Sequence, residues 1–117
     1  SYDLATLLFG PSPLEGEERA VAWAATGRLL RWLYSLGVIH QDLNLGNILL
    51  ERCIRPARPY VLDLDRCTTV DHVGPEARRR MLRRFRRSVD KWSERMRRPV
   101  TREEWHTFQA AYRTKRV

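Results

Sequence analysis

One short stretch in the middle of the chain constrains the fold more than any other feature. There the sequence leaves helical periodicity and breaks into brief apolar runs. Val38-Ile39 is one, Ile48-Leu49-Leu50 a second and Tyr60-Val61-Leu62 a third. Such short runs, bounded by turn-forming residues, read as strands. The segment Glu51–Pro59 between the last two is polar and carries Pro56 and Pro59, so it reads as a hairpin loop. Long helical patterns lie on both sides. The expected class is therefore mainly α, of the α+β kind, with helices around one small β-hairpin.

The helical patterns are explicit. Ser1 to Leu8 predicts a short helix entered from a Ser or Asp cap and broken by Gly10-Pro11-Ser12-Pro13, with Gly16 extending the loop. A long helix is predicted from about Glu17 to Leu36. Val21, Ala24, Ala25, Leu29, Trp32, Leu33 and Leu36 form its buried stripe, with Arg19, Arg28 and Arg31 off it. Glu15, Glu17 and Glu18 oppose the positive end of its dipole, and Gly37 suits a left-handed stop. A second amphipathic helix is predicted over residues 76–98. Met81, Phe85, Val89, Trp92 and Met96 make its apolar stripe, and seven arginines between Arg78 and Arg87 cover the other faces. Thr101 with Glu104 three residues later is a capping box, which opens a last helix through Trp105, Phe108, Ala111 and Tyr112. The four tryptophans, Trp23, Trp32, Trp92 and Trp105, are expected as core or half-core anchors.

Length and charge bound the function without choosing it. The chain has 117 residues, 22 basic and 14 acidic, for a net charge of +8, and all the basic residues except Lys91 and Lys115 are arginine. A hydrophobic fraction of 43% supports one packed core. Cys53 and Cys67 are too few for a disulfide scaffold and too isolated for a zinc site. The most apolar window, Ala20 to Ile39, is interrupted by Arg28 and Arg31 and does not read as a membrane span. No secretory leader pattern is evident, so the expectation is a soluble chain in a reducing compartment. Basicity of this size suits nucleic acid, an anionic membrane surface or a phosphorylated ligand, and also a merely solvated Arg face.

The chemistry concentrates in Asp42, Asn47 and Asp63. His40, Gln41, Asp42, Asn44 and Asn47 fall within eight residues, and Asp63 follows Asn47 by sixteen, at the end of the returning strand. Acid and amide residues near turns commonly serve as caps. A hairpin that joins an amide and a carboxylate can also hold Mg²⁺ through hard oxygen ligands. A second carboxylate is then left to orient a hydroxyl nucleophile, which is most of what phosphoryl transfer requires from a protein.

These residues resemble a known pattern. His40-Gln41-Asp42-Leu43-Asn44-Leu45-Gly46-Asn47, followed by Ile48-Leu49-Leu50, is similar to the catalytic loop of the protein-kinase-like superfamily, and Val61-Leu62-Asp63-Leu64-Asp65 to its metal-binding segment. Asp-Leu-Asn-x-x-Asn combined with Leu-Asp-Leu-Asp-Arg most resembles the lipopolysaccharide core kinases, the 3-deoxy-D-manno-octulosonic acid (Kdo) kinases among them. Arg86-Arg87-Ser88-Val89-Asp90-Lys91 extends the likeness, which runs from about Leu4 to Tyr112. The resemblance implies a kinase-like carboxy-terminal lobe, ATP and Mg²⁺ as cofactors, and a lipid-linked Kdo sugar as acceptor. It implies Asp42 as catalytic base and Asn47 and Asp63 as ligands of Mg²⁺ on the ATP phosphates. Asn44 stands where the superfamily has Lys; it can hydrogen-bond Asp42 or substrate but cannot neutralise charge. Gln41 stands where many protein kinases have the Arg that reads a phosphorylated loop. Asp65 replaces a glycine and could join the metal site or pair with Arg66. His40 is expected to be structural, packed under the loop.

The chain shows no Gly-rich phosphate loop and no strand Lys for ATP. The expectation is therefore a carboxy-lobe over residues 1–117, a fragment or a truncated relative without the amino-terminal ATP-binding lobe. The Arg-rich helix 76–98 is expected to meet an anionic membrane surface or lipid A phosphates, with no nucleic acid as partner. Localisation is expected at the cytoplasmic face of a bacterial inner membrane, as a peripheral protein. Two alternatives stay open. One is a small-molecule phosphotransferase of choline or aminoglycoside type. The other is an inactive basic lobe that binds an anionic partner.

Overall fold

The computed structural model describes residues 2–51, 59–62 and 66–114. The chain runs β1 (Tyr2–Asp3), α1 (Leu4–Phe9), α2 (Gly16–Ser35), β2 (Val38–His40), a one-turn 3-10 helix (Leu45–Asn47), β3 (Ile48–Leu50), β4 (Pro59–Val61), β5 (Cys67–Thr69), α3 (Pro75–Arg95) and α4 (Arg102–Arg113). It is mainly helical with small antiparallel sheets, as the sequence predicts.

Local chemistry accounts for the helix ends. Asp3 caps α1 by accepting the Thr6 N–H at 2.8 Å. Helix α2 stops where Gly37 takes φ 74°, and the Gly37 N–H donates to the Tyr34 carbonyl at 3.1 Å. Thr101 and Glu104 form the expected reciprocal capping box at the start of α4. Helix α3 is shorter than the predicted 76–98. It closes in a Schellman motif: Arg97 adopts φ 53°, its N–H donates to the Glu94 carbonyl, and the Arg98 N–H donates to the Ser93 carbonyl at 2.9 Å.

The β structure is richer than one hairpin. Strand β3 is central in a three-stranded sheet, pairing Ile48 with Val61 and Leu50 with Pro59 on one side and Leu50 with Tyr2 on the other. A second pair joins β2 to β5, with His40 opposite Cys67 and Val38 opposite Thr69. The predicted loop 51–59 falls mostly on residues 52–58, outside the described ones, and Cys53 falls there too.

One core unites the elements. Leu4, Leu8, Leu43, Leu45 and Ile48 pack where α1 meets the 3-10 turn, and Trp23, Phe85 and Phe108 pack where α2, α3 and α4 meet. Gly27 lets α2 approach α4 closely, because a Cβ there would collide with the Phe108 carbonyl oxygen. The predicted α2 stripe needs correction at three places. Trp32 and Leu36 are exposed (47% and 55%), whereas Arg19 is 4% exposed. Helix α4 covers the α2 face bearing Arg19, Trp23 and Gly27, and Arg19 is admitted there because Glu104 meets it at 2.6 Å. Likewise Met96, at the end of the predicted α3 stripe, is exposed because α3 ends at Arg95 and Met96 is only its cap.

Candidate active site

Residues 41–44 leave β2 at His40 and enter the 3-10 turn at Leu45, so the loop is held at both ends. His40 is 1% exposed. Its Nε2 lies 2.9 Å from the Leu62 carbonyl oxygen, and its Nδ1 lies 3.1 Å from the Asp42 backbone nitrogen. One neutral tautomer satisfies both contacts: Nε2–H donates to Leu62, and Nδ1 accepts from the Asp42 N–H. His40 is thus the structural histidine the sequence suggests, and it fixes the backbone of Asp42.

Two amides grip that backbone from the other side. Asn47 Nδ2 donates to the Asp42 carbonyl at 2.7 Å, and Asn44 Nδ2 donates to the same oxygen at 3.0 Å. The Asn44 Oδ1 accepts the Gly46 N–H at 2.8 Å, so this residue also caps the 3-10 turn. The bonds that His40, Asn44 and Asn47 make to Asp42 all go to its main chain. None of them takes its carboxylate, and the residue is exposed. Beneath the loop, Leu43 and Leu45 are at most 1% exposed. The Leu45 N–H donates to Ser88 Oγ of α3 at 3.0 Å. A buried apolar row and one helix hydroxyl therefore hold the loop against α3.

Asp63 lies outside the described residues, as does Asp65. The chain is tied to the loop on both sides of them. The Leu62 N–H donates to the Asn47 carbonyl at 2.7 Å, and the Gln41 N–H donates to the Arg66 carbonyl at 2.9 Å. The structure therefore brings Asp42, Asn44 and Asn47 together. Because Asn47 Nδ2 is engaged, its Oδ1 is the end that can ligate an ion, and an amide oxygen suits a hard cation such as Mg²⁺. Among the described residues no three His, Cys, Asp or Glu side chains converge on a common point. Beside Gln41 a cleft of about 240 Å³ is lined by Ile39, Gln41, Thr68, Met81 and the basic Arg80 and Arg84.

Two supporting features were not legible in the sequence. Ser88 lies in the Arg-Arg-Ser-x-x-Lys stretch, but nothing in its spacing says that it faces Leu45. The second is the Arg19 network, which ties α1, α2 and α4 together. Arg19 Nη1 donates to the carbonyls of Leu8 (2.8 Å) and Leu14 (3.1 Å), and the Trp23 Nε1–H donates to Glu104 Oε2 at 2.7 Å. Burial pushes the Glu104 carboxyl up, but the hydrogen bonds from Arg19, Thr101 and Trp23 outweigh it and leave it below its usual 4.5.

With this geometry in view, likeness to known proteins is specific. A sequence model of the lipopolysaccharide kinase (Kdo/WaaP) family matches residues 2–112. The chain is similar to a 3-deoxy-D-manno-octulosonic acid kinase of Haemophilus influenzae (strain PittGG), with 36% identity over 90 residues, 77% of this chain and 36% of that protein. Proteins of the same description from Pasteurella multocida (strain Pm70) and Actinobacillus succinogenes are 31% and 32% identical, each with 37% of its length covered. The chain thus spans little more than a third of these relatives. No solved structure matches it.

Proposed function

The chain belongs to the lipopolysaccharide kinase (Kdo/WaaP) family, and from that membership we propose that it carries the acceptor- and metal-binding part of an ATP-dependent sugar kinase. The acceptor proposed is the Kdo residue of a lipopolysaccharide inner-core precursor of the Kdo–lipid A type. Support comes from the relatives, each described as a 3-deoxy-D-manno-octulosonic acid kinase. The site of action proposed is the cytoplasmic face of the inner membrane, with the protein held peripherally.

The observation that carries this reading is the treatment of Asp42. Its N–H is held by His40 and its carbonyl by Asn44 and Asn47, while its exposed carboxylate takes none of these bonds. A cap or turn former spends its side chain on the backbone, as Asn44 does. Asp42 is instead immobilised through its main chain, which suits a carboxylate that must meet an incoming hydroxyl with little reorganisation.

In this mechanism Asp42 would orient the sugar hydroxyl and accept its proton as that oxygen bonds to the γ-phosphorus of ATP and the bond to the leaving ADP breaks. Asn47 Oδ1 and Asp63 would hold Mg²⁺; the Leu62 N–H bond to the Asn47 carbonyl ties the chain just before Asp63 to the loop. Bound Mg²⁺ supplies neutralisation of the phosphate charge. Asn44 positions the loop and contributes no charge.

The test uses the complete gene product with ATP, Mg²⁺ and lipid-linked Kdo. Transfer should depend on Mg²⁺, and amino alcohols and aminoglycosides should be inert. Asp42→Ala should lower turnover by about 10²–10⁴, the usual contribution of a positioned acid–base group. Wild-type turnover in Asp42→Ala removes the assigned role.

A further inference from the structure

The two C-terminal helices enclose a groove of about 580 Å³ that the phosphoryl-transfer reading does not use. Its floor is apolar: Leu82 from α3 and Trp105, Phe108 and Tyr112 from α4. Its rim is cationic, built from Arg78, Arg79, Arg83 and Arg86 of α3 and Arg113 of α4. Some of this charge is committed. Arg79 meets Glu76 at 3.1 Å, and Arg86 meets Asp90 at 3.2 Å. Arg83 and Arg113 have no ion-pair partner among the described residues. Tyr112 Oη is buried with no hydrogen-bond partner among them.

We propose that this groove seats an anionic phospholipid, with the headgroup phosphate on the arginine rim and the first part of an acyl chain on the aromatic floor. The combination of a cationic rim and an apolar floor in one concavity matches an amphiphile with a phosphate at one end. Arginine is the side chain best suited to fork onto phosphate oxygens. The ring geometry selects lipid over nucleic acid. A base needs an open ring face to stack on. Here Trp105 stacks on Phe108 at 4.7 Å, Phe108 stacks on Phe85 at 5.0 Å, and the Arg86 guanidinium lies 4.2 Å over Trp105. With the Trp105 ring flanked by Phe108 and Arg86, the apolar lining suits an acyl chain better than a stacked base. An anionic lipid held here docks the chain on a membrane surface without a spanning segment.

The experiment is vesicle sedimentation of the full chain with phosphatidylglycerol–phosphatidylcholine vesicles, and with phosphatidylcholine alone. Binding is expected to the anionic vesicles only. Each basic residue at such a surface contributes about 1 kcal/mol, so Arg83→Gln with Arg113→Gln should weaken binding about 30-fold. Arg84→Gln with Lys91→Gln removes the same charge outside the groove and should cost far less. Gln109→Glu, which places an acid among the groove residues, should also weaken binding. Brominated acyl chains should quench tryptophan fluorescence, and Trp105→Phe should remove most of that quenching. Equal losses from the two double variants would mean diffuse surface charge and overturn the proposal. So would quenching that survives Trp105→Phe, or tighter binding of duplex DNA or an acidic peptide through Arg83 and Arg113.

Discussion

Glu104→Ala removes the anchor of three groups in one step, and its cost can be worked from the structure. Oε2 accepts from Arg19 Nε at 2.6 Å and from Trp23 Nε1 at 2.7 Å, and Oε1 accepts the Thr101 N–H at 3.2 Å. Removing one member of a buried pair costs about 3–5 kcal/mol, because the other charge is left without its partner. Two features pull the value down: Arg19 keeps its bonds to Leu8 and Leu14, and the Glu104 side chain is itself 16% exposed. Two push it up. The Trp23 N–H, on a fully buried ring, loses its acceptor at about 1–3 kcal/mol, and half of the capping box disappears at about 0.5–1 kcal/mol. These terms overlap, and about 3–5 kcal/mol is expected in total. A chain of this length has roughly 6–18 kcal/mol of stability, so the variant should fold but be visibly weakened.

Urea denaturation followed by tryptophan fluorescence measures it, as a lower midpoint at unchanged slope. The same carboxylate predicts a pH dependence. Its folded-state value lies below 4.5, so its stabilisation is present above that pH and is lost as pH falls through the folded value. Glu104→Gln should lack this component of acid destabilisation. A loss under about 1 kcal/mol in Glu104→Ala would refute the claim that this network joins α4 to α1 and α2.

Gly27→Ala should destabilise the α2–α4 contact by about 1–3 kcal/mol, read as a lower melting temperature, since the new methyl meets the Phe108 carbonyl. Ser88→Ala withdraws the acceptor from the buried Leu45 N–H, at about 1–3 kcal/mol. Because that bond positions the 40–47 loop, kcat should fall with KM little changed, and Ser88→Thr should restore it; an unaltered kcat in Ser88→Ala removes the positioning role.

Much of the fold was legible because local rules were strong where they applied. The Asp3 cap, the Gly37 stop and the Thr101–Glu104 box each involve residues within one turn of each other, so sequence spacing alone locates them. The returning strand was legible from its apolar run. The short partners β1 and β5 were not, because two- and three-residue strands such as Tyr2–Asp3 and Cys67–Thr69 carry too little periodicity to declare a partner. Trp32 and Leu36 show the limit of an apolar stripe. Periodicity finds the apolar faces of a helix but not how much of each a neighbour will cover.

For the site, the residues themselves determined the chemistry on offer: two asparagines and an acid in one loop, and an apolar run behind them to bury its underside. They also determined the surplus of arginine on α3. Only the tertiary structure decided how these groups are held. His40 reaches 22 residues along the chain to Leu62, Leu45 reaches 43 to Ser88, and Arg19 reaches 85 to Glu104. Sequence spacing carries no distance information over such separations. A polar side chain becomes a base, a buried strut or a lone surface charge according to the partner that packing delivers to it, because burial without a partner is too costly to persist.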